Sequence, residues 1–121
     1  MKKIVFYIAG LMLWLTTATA QSPTVYEKVG DHIKVTHYYD GTDQIRETGF
    51  FYEGKAHGAW AEYTKEGELR VEANYVNGKK EGTWFVWSLD RETLYQVDYL
   101  DNTRQDVRVW DLGEPNLHVK R

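Results

Sequence analysis

An internal repeat constrains the fold of this chain more than any other feature of its sequence. Equivalent residues such as Gly54 and Gly78 are 24 positions apart (78 − 54 = 24), and this spacing is the step of the repeat. The other pairs of similar residues at this step are Lys55 and Lys79, Gly58 and Gly82, Trp60 and Trp84, and Tyr63 and Trp87. The longer series at the same step are Phe51, Tyr75 and Tyr99, then Gly49, Ala73 and Val97, and finally Gly30, Gly54, Gly78 and Asn102. A fixed period of this kind is typical of proteins built from one repeated supersecondary unit, in which each unit packs on its neighbours.

Within one unit, apolar and polar residues alternate. Residues 69–75 place Leu, Val, Ala and Tyr at every second position, which is typical of a β-strand with one buried face. The following Asn77-Gly78 pair is a strong hairpin signal, because both residue types tolerate left-handed backbone conformations. Each unit is therefore predicted to be one β-hairpin.

The predicted strands are 33–39, 45–53, 59–64, 68–76, 83–88, 94–100 and 106–111, with a shorter strand near Val25–Val29. The predicted turns lie near Asp40-Gly41, Gly54-Lys55, Glu66-Gly67, Asn77-Gly78, Asp90-Arg91 and Asp101-Asn102, and the repeat register slips by one position around Asp90–Leu94.

Consecutive hairpins predict an all-β fold, an antiparallel meander with a 24-residue repeat. It forms either a single elongated, twisted sheet or a sheet that curls on itself. The side chains expected in one aromatic row are Phe51, Tyr75 and Tyr99, with Gly49 and Ala73 leaving room for neighbouring rings. The side chains expected in a second row are Tyr39, Tyr63 and Trp87. Trp60 and Trp84 are expected on the other face of the sheet, near Tyr52.

Residues 1–20 have the three-part layout of a cleavable secretory signal. A basic start at residues 1–3 precedes an apolar run at 4–15, and small residues follow as far as Ala20. The apolar run is too short to span a bilayer. Cleavage after Ala20 removes two lysines and changes the formal net charge from −3 to −5. The predicted organisation is a signal peptide at 1–20, a lead-in at 21–32, a repeat domain at 33–111 and a C-terminal tail at 112–121, in a protein that is periplasmic or secreted.

Composition excludes several classes of function. The chain has no cysteine, which excludes disulfides, zinc–thiolate sites and a lipidated cysteine anchor. An acidic chain without a basic cluster does not suit nucleic-acid binding, which needs positive charge against phosphate. No second long apolar run follows the first, so no transmembrane anchor is predicted.

The segment Tyr75–Trp87 matches a motif of the form Y-x-N-G-K-x-x-G-x-W-x-x-Y/W, and the segment Gly49–Tyr63 matches it less closely. This motif resembles a MORN-type repeat, and it is more closely similar to the variant found in bacterial proteins labelled YwqK-family antitoxins. The resemblance covers about residues 33–110, although residues 101–103 and Asp106 depart from the motif in the third copy. The resemblance implies an elongated sheet of hairpins and roles in protein binding or scaffolding, with lipid contact in some relatives. The antitoxin label implies a partner toxin.

Few residues offer catalytic chemistry. His32 and His37 are five positions apart and would face opposite sides of one strand, which does not suit a shared metal. His57 lies in a predicted turn and His118 in the tail, and carboxylates such as Glu62 are scattered. No phosphate-binding glycine loop or nucleophile elbow is present. We therefore predict no catalytic residue, no metal site and no cofactor. An envelope hydrolase using carboxylates or His57 is one alternative.

The aromatic residues are the main candidates for function as well as for the core. The chain has five Trp, nine Tyr and four Phe, and Trp and Tyr are frequent at interface hot spots. The candidate binding-surface residues are Trp60, Trp84 and Tyr52. The residues predicted to maintain the repeat are Gly54, Gly58, Gly78, Gly82, Phe51, Tyr63, Tyr75, Trp87 and Tyr99. The predicted function is an exported, non-enzymatic module that binds a protein or acts as a scaffold in the cell envelope, with an antitoxin- or immunity-like role as one form of it. A glycan- or lipid-binding module is the other alternative.

Overall fold

A computed structural model describes residues 5–7, 23–114 and 119–120 of the chain. The described residues contain strands, turns and bends but no helix. The strands are β1 Val5–Tyr7, β2 Thr24–Val29, β3 His32–Tyr38, β4 Ile45–Tyr52, β5 Lys55–Ala56, β6 Gly58–Tyr63, β7 Leu69–Val76, β8 Lys79–Lys80, β9 Gly82–Trp87, β10 Thr93–Leu100, β11 Thr103–Asp111 and β12 Val119–Lys120. The predicted all-β class is confirmed.

All strands belong to one antiparallel sheet in which neighbours along the chain are neighbours in space. The order is β1-β2-β3-β4-β6-β7-β9-β10-β11-β12, and the short strands β5 and β8 pair with β4 and β7. The two ends of this path do not pair with each other, so the sheet is open. The prediction of an antiparallel meander that forms one sheet is confirmed, and this sheet is not closed.

The seven predicted strands all exist, and most of their boundaries lie within one position of the observed ones. The last strand begins at Thr103, three positions earlier than predicted. The shorter strand near Val25–Val29 is also present as β2, which pairs with β3 along its whole length. The sheet therefore extends beyond the predicted repeat domain at 33–111, because β2 lies in the lead-in and β12 in the tail. Residues 115–118 lie outside the described residues.

The turns at one end of the sheet explain why Gly and Asn recur. Three two-residue loops have positive φ angles at both positions, which is the backbone of a type I′ hairpin turn. These loops are Glu53-Gly54 (φ 48° and 77°), Asn77-Gly78 (50° and 81°) and Asp101-Asn102 (51° and 67°). The first hairpin differs, because Gly30 is the first residue of its loop whereas Gly54 is the second. The expected equivalence of Gly30 with Gly54 is therefore wrong by one position.

A second pair of glycines, Gly58 and Gly82, stands where a short strand bends into a longer one. β5 pairs with Phe51 and Tyr52, whereas β6 pairs with β4 from Thr48 onward in a register shifted by two positions. Gly58 and Gly82 have φ angles of 89° and 72° at these bulges, a conformation that glycine adopts without steric cost. The third copy has Asp106 in place of this glycine, and its bulge is smaller.

The turns at the other end of the sheet also agree with prediction. Thr64 donates its backbone N–H to the carbonyl of Glu68, and Ser88 donates to the carbonyl of Thr93. The second loop is one position longer than the first, which accounts for the predicted slip in the repeat register. Arg91 occupies the position equivalent to Gly67, with a φ angle of 65°.

The predicted signal peptide covers residues 1–20, of which the structure describes only Val5–Tyr7. These three residues form β1 and pair with Val25–Glu27 of β2. The predicted cleavage site near Ala20 lies outside the described residues. No helix in the described part of the chain is long and apolar enough to cross a membrane.

Candidate functional site

Five aromatic rings form a continuous row across one face of the sheet, which we call the aromatic ladder. Adjacent rings meet edge to face, with centroid distances of 5.1–6.0 Å. In spatial order the rings are Phe51, Trp60, Tyr75, Trp84 and Tyr99. The predicted row of Phe51, Tyr75 and Tyr99 is therefore present, but the two tryptophans lie between its members.

The prediction that Trp60 and Trp84 occupy the opposite face is wrong. The two-residue hairpin loops pair Phe51 with Ala56 and Tyr75 with Lys80, and the bulge that follows shifts the register by two positions, which keeps the face. Trp60 and Trp84 therefore lie opposite Ala73 and Val97 on the ladder side. Each indole Nε1–H is held in the same way. Trp60 donates to the carbonyl of Phe50 at 3.2 Å, and Trp84 donates to the carbonyl of Asn74 at 3.0 Å.

Small residues make room for the ladder. A Cβ atom at Gly49 would overlap the ring of Trp60, which confirms the prediction that Gly49 leaves space for a neighbouring ring. Ala73 is 3 % exposed and Trp84 is 9 % exposed, so both belong to the small core. The ammonium of Lys80 lies 5.1 Å from the ring centres of Trp84 and Tyr99, within the range of a cation–π contact. The ladder is thus mainly a packing element.

The second predicted row, Tyr39, Tyr63 and Trp87, lies toward the other end of the strands. The hydroxyl of Tyr39 donates to the carbonyl of Tyr63 at 2.6 Å. The guanidinium of Arg91 lies 5.6 Å from the ring centre of Trp87 and donates to the carbonyl of Leu69. These contacts join residues of neighbouring units at this end of the sheet: Tyr39 reaches the following unit, and Arg91 reaches the preceding one.

At the opposite end of the strands, successive hairpins are joined by backbone hydrogen bonds that recur in step with the repeat. The N–H of Gly78 donates to the carbonyl of Ala56 at 2.7 Å, and the N–H of Asn102 donates to the carbonyl of Lys80 at 2.9 Å. The loops at 77–78 and 101–102 therefore dock on the short strands β5 and β8 of the units before them. The side chain of Lys55 also lies close to Gly78.

A side chain adds a further bond at each of these junctions. The N–H of Asn77 donates to Nδ1 of His57 at 3.2 Å. In the next unit, the N–H of Asp101 donates to Oε2 of Glu81 at 2.8 Å. The two acceptors occupy equivalent positions of the repeat, and so do the two donors. The fold therefore uses an acceptor side chain at this position in both units.

The face opposite the ladder presents a row of exposed apolar side chains, which we call the apolar row. Each member is the last strand residue before a two-residue loop, and adjacent members are separated by one intervening strand, or about 10 Å. The members are Val29 on β2, Tyr52 on β4, Val76 on β7 and Leu100 on β10. Val29 and Val76 are each 45 % exposed and Leu100 is 58 % exposed. Tyr52 is half-buried.

Tyr52 borders a groove of about 330 Å³ at the first two hairpins. The groove is lined by Val29, His32, Phe50, His57, Gly58 and Ala59. The His32 and His57 ring centres are 5.7 Å apart, and each lies within 5.6 Å of the Tyr52 ring. We call this the imidazole groove. Period-two counting along the chain does not predict that His32 and His57 meet, because their proximity depends on the register of β3, β4 and β5 across two hairpin connections.

The ladder face also carries an unfavourable pair of charges. Glu47 and Glu62 are directly opposite each other on β4 and β6. Burial raises the pKa of the Tyr75 phenol above its ordinary value, and the nearby carboxylates of Glu47 and Glu62 raise it further. Like charges in this position destabilise a sheet.

In the loop after β9, the Ser88 hydroxyl hydrogen-bonds the Asp90 carboxylate and lowers its pKa.

The residues considered for catalysis are dispersed. His37 is bonded through Nδ1 to the Thr24 hydroxyl at 2.9 Å, Glu62 lies on the ladder face, and His57 lines the groove on the other face. His118 lies outside the described residues. Within the described part of the chain, no group of three or more His, Asp or Glu side chains is placed to hold a metal ion.

Comparisons of the chain with protein-family models, with curated proteins and with solved structures find no match. The resemblance to MORN-type and YwqK-type repeats therefore stays a prediction from the sequence motif. The candidate site is defined by geometry alone: the apolar row and the imidazole groove that opens beside it.

Proposed function

We propose that this protein is an exported, non-enzymatic β-repeat module that binds another protein in the cell envelope through the apolar row. The single observation that supports this proposal is the row itself. Four consecutive hairpins each present an exposed or half-exposed apolar side chain at the same end of the same face. Isolated surface apolar residues are ordinary, but an aligned set suggests an interaction surface.

The row suits a partner better than the aromatic ladder does. Trp84 is 9 % exposed, and the indole N–H groups of Trp60 and Trp84 already donate hydrogen bonds to backbone carbonyls. Of the three candidate binding residues named from the sequence, Tyr52 is the one that belongs to the row. Trp60 and Trp84 contribute to binding indirectly in this proposal, because they stabilise the strands that carry the row.

Export follows from the three-part pattern of residues 1–20. The protein is proposed to act after cleavage near Ala20, in the periplasm or outside the cell. An antitoxin- or immunity-like role, which the motif resemblance implies, is one form that such protein binding would take. In that case the partner toxin is itself exported.

The proposal is tested with two variants that carry the same chemical change at different places. Val76→Asp combined with Leu100→Asp introduces charge into the apolar row. Leu89→Asp is the matched control, because Leu89 is 76 % exposed and lies in a loop at the other end of the strands. All three substitutions replace exposed side chains, so we expect each variant to fold and to keep the β-sheet circular dichroism of the wild type.

The measurement is capture of proteins from an envelope extract of the source cells, followed by mass spectrometry and titration of the captured partner. We expect the double variant to bind the partner at least tenfold more weakly, because charged residues are disfavoured at interface cores. The control should bind as the wild type does. Equal binding by the double variant and the wild type would show that the apolar row is not the interface.

A further inference from the structure

In the imidazole groove, a hydrogen bond determines which nitrogen of the His57 ring carries the proton. Nδ1 of His57 accepts the N–H of Asn77 at 3.2 Å, so that nitrogen carries a lone pair. In a neutral imidazole the proton then resides on the other nitrogen, Nε2. The ring of His32 is 5.7 Å away, centre to centre, and supplies a second imidazole of free tautomer. Two N–H donors can therefore be directed at one ligand.

The fold does not require this chemistry at position 57. In the next unit Glu81 accepts the equivalent backbone N–H at 2.8 Å, and the hairpin junction is otherwise the same. A glutamate satisfies the junction but has no donor to offer when ionised. A histidine satisfies the junction with one nitrogen and retains a donor on the other. The rings of Phe50 and Tyr52 are likewise replaced in the next unit, by an asparagine and a valine.

The groove suits an anion better than a metal ion. The residues that line it include no carboxylate. Binding of a metal at Nε2 of His57 would move the ring proton to Nδ1, against the N–H of Asn77, and break that bond. A carboxylate oxygen about 2.9 Å from a nitrogen of each ring would lie roughly 4 Å from both ring centres, which a separation of 5.7 Å permits. Phe50 and Val29 provide an apolar wall beside it.

We propose that the imidazole groove binds a carboxylate attached to an aromatic or other apolar group, presented by the partner protein. The two histidines donate hydrogen bonds to the carboxylate, and Phe50 and Val29 pack on the apolar group. This inference rests on the proposed function, since it names the chemistry of the partner that the apolar row receives. The carboxylate belongs either to a chain terminus or to an acidic side chain.

The test uses small probes and the full chain. N-acetyl-phenylalanine presents a terminal carboxylate next to a ring, N-acetyl-glutamate amide presents a side-chain carboxylate, and N-acetyl-phenylalanine amide is the uncharged control. NMR titration should show saturable shifts of the His32 and His57 imidazole signals with at least one acid. His37 should not shift, because it lies at the other end of β3. The acid that binds more tightly identifies the source of the carboxylate.

His57→Glu is the decisive variant. It copies the residue at position 81, so it keeps an acceptor for the N–H of Asn77 while removing the donor and adding a repelling charge. We expect it to fold like the wild type and to bind the acid probe at least tenfold more weakly. Equal affinity of the acid and the amide, or undiminished binding by His57→Glu, would overturn the inference. If His57→Glu also captures the partner as the wild type does, the groove assignment fails while the apolar row stands. If the row variant captures the partner as the wild type does, the apolar row is not the interface and the proposed mode of binding fails instead.

Discussion

Replacing Gly49 by alanine tests whether the aromatic ladder depends on the absence of one side chain. A Cβ atom at Gly49 would overlap several ring atoms of Trp60. The backbone of Gly49 is not in the left-handed region, so alanine causes no conformational strain there. The whole cost of this substitution therefore comes from the collision with the indole ring.

Trp60 has little freedom to move aside. Its ring makes edge contacts with Phe51 and Tyr75, each worth about 0.5–1.5 kcal/mol. Its Nε1–H donates to the carbonyl of Phe50, a bond worth about 1 kcal/mol. Displacing the ring sacrifices most of these contacts, so Gly49→Ala should lower the free energy of unfolding by about 2–4 kcal/mol. In a domain of this size the melting temperature would fall by roughly 10–30 °C.

Equilibrium unfolding in urea, followed by tryptophan fluorescence and circular dichroism, measures this change. The control is a double-mutant cycle with Trp60→Val, which removes the ring that the new methyl group strikes. In that background Gly49→Ala should cost nothing or stabilise the strand by about 0.5–1 kcal/mol, the usual preference for alanine over glycine. A cost that is the same in both backgrounds, or absent from the wild type, would refute the packing argument.

Three further predictions concern single positions. Glu53→Asn should stabilise the protein by up to about 1 kcal/mol in thermal unfolding, because φ is 48° at Glu53 and asparagine tolerates this conformation, as it does at Asn77. Glu62→Lys should stabilise by about 0.2–1 kcal/mol at low salt and less at high salt, because it faces Glu47. The pKa of Tyr75 is raised, so its share of stability is complete below the ordinary tyrosine pKa and is lost as pH rises through the raised value. The free energy of unfolding measured against alkaline pH should therefore decline less steeply in Tyr75→Phe, and an identical decline would contradict this assignment.

The repeat and the period-two pattern are sufficient to predict most of the sheet. Hairpin position depends on local chemistry, and the pair Asn77-Gly78 specifies a tight turn without reference to the rest of the chain. The repeat predicts the equivalent loop at Glu53-Gly54, although glutamate alone does not predict a positive φ. The strand β2 is short and has no repeat partner in the sequence, so periodicity does not predict that it pairs with β3 along its whole length.

The face of each tryptophan is not predicted by counting alternate residues through a hairpin, because a two-residue loop pairs odd-numbered with even-numbered positions, as Phe51 with Ala56. Period-two counting across 51–60 treats the chain as one uninterrupted strand, whereas the loop at 53–54 reverses it and pairs Phe51 with Ala56. The bulge that follows shifts the register on β4 by two positions and keeps the face. The signal for that bulge is Gly58, a glycine in the middle of a strand-like segment. The same hairpin register places His57 opposite Phe50, on the face that carries Tyr52 and His32, so the error in the ladder and the omission of the groove have one cause.

The single sheet raises the question of what replaces a second layer. Only Val35, Ala73 and Trp84 are buried hydrophobic residues among those described, so burial of the usual kind is limited. The ladder compensates by joining five consecutive strands of the sheet through large rings, and the ring-to-ring contacts run from each ring to its neighbours in the row. Stability is then transmitted along the sheet from unit to unit, as in other repeat proteins. The apolar row on the other face is not needed for this chain of contacts, which leaves its side chains free to be selected for binding.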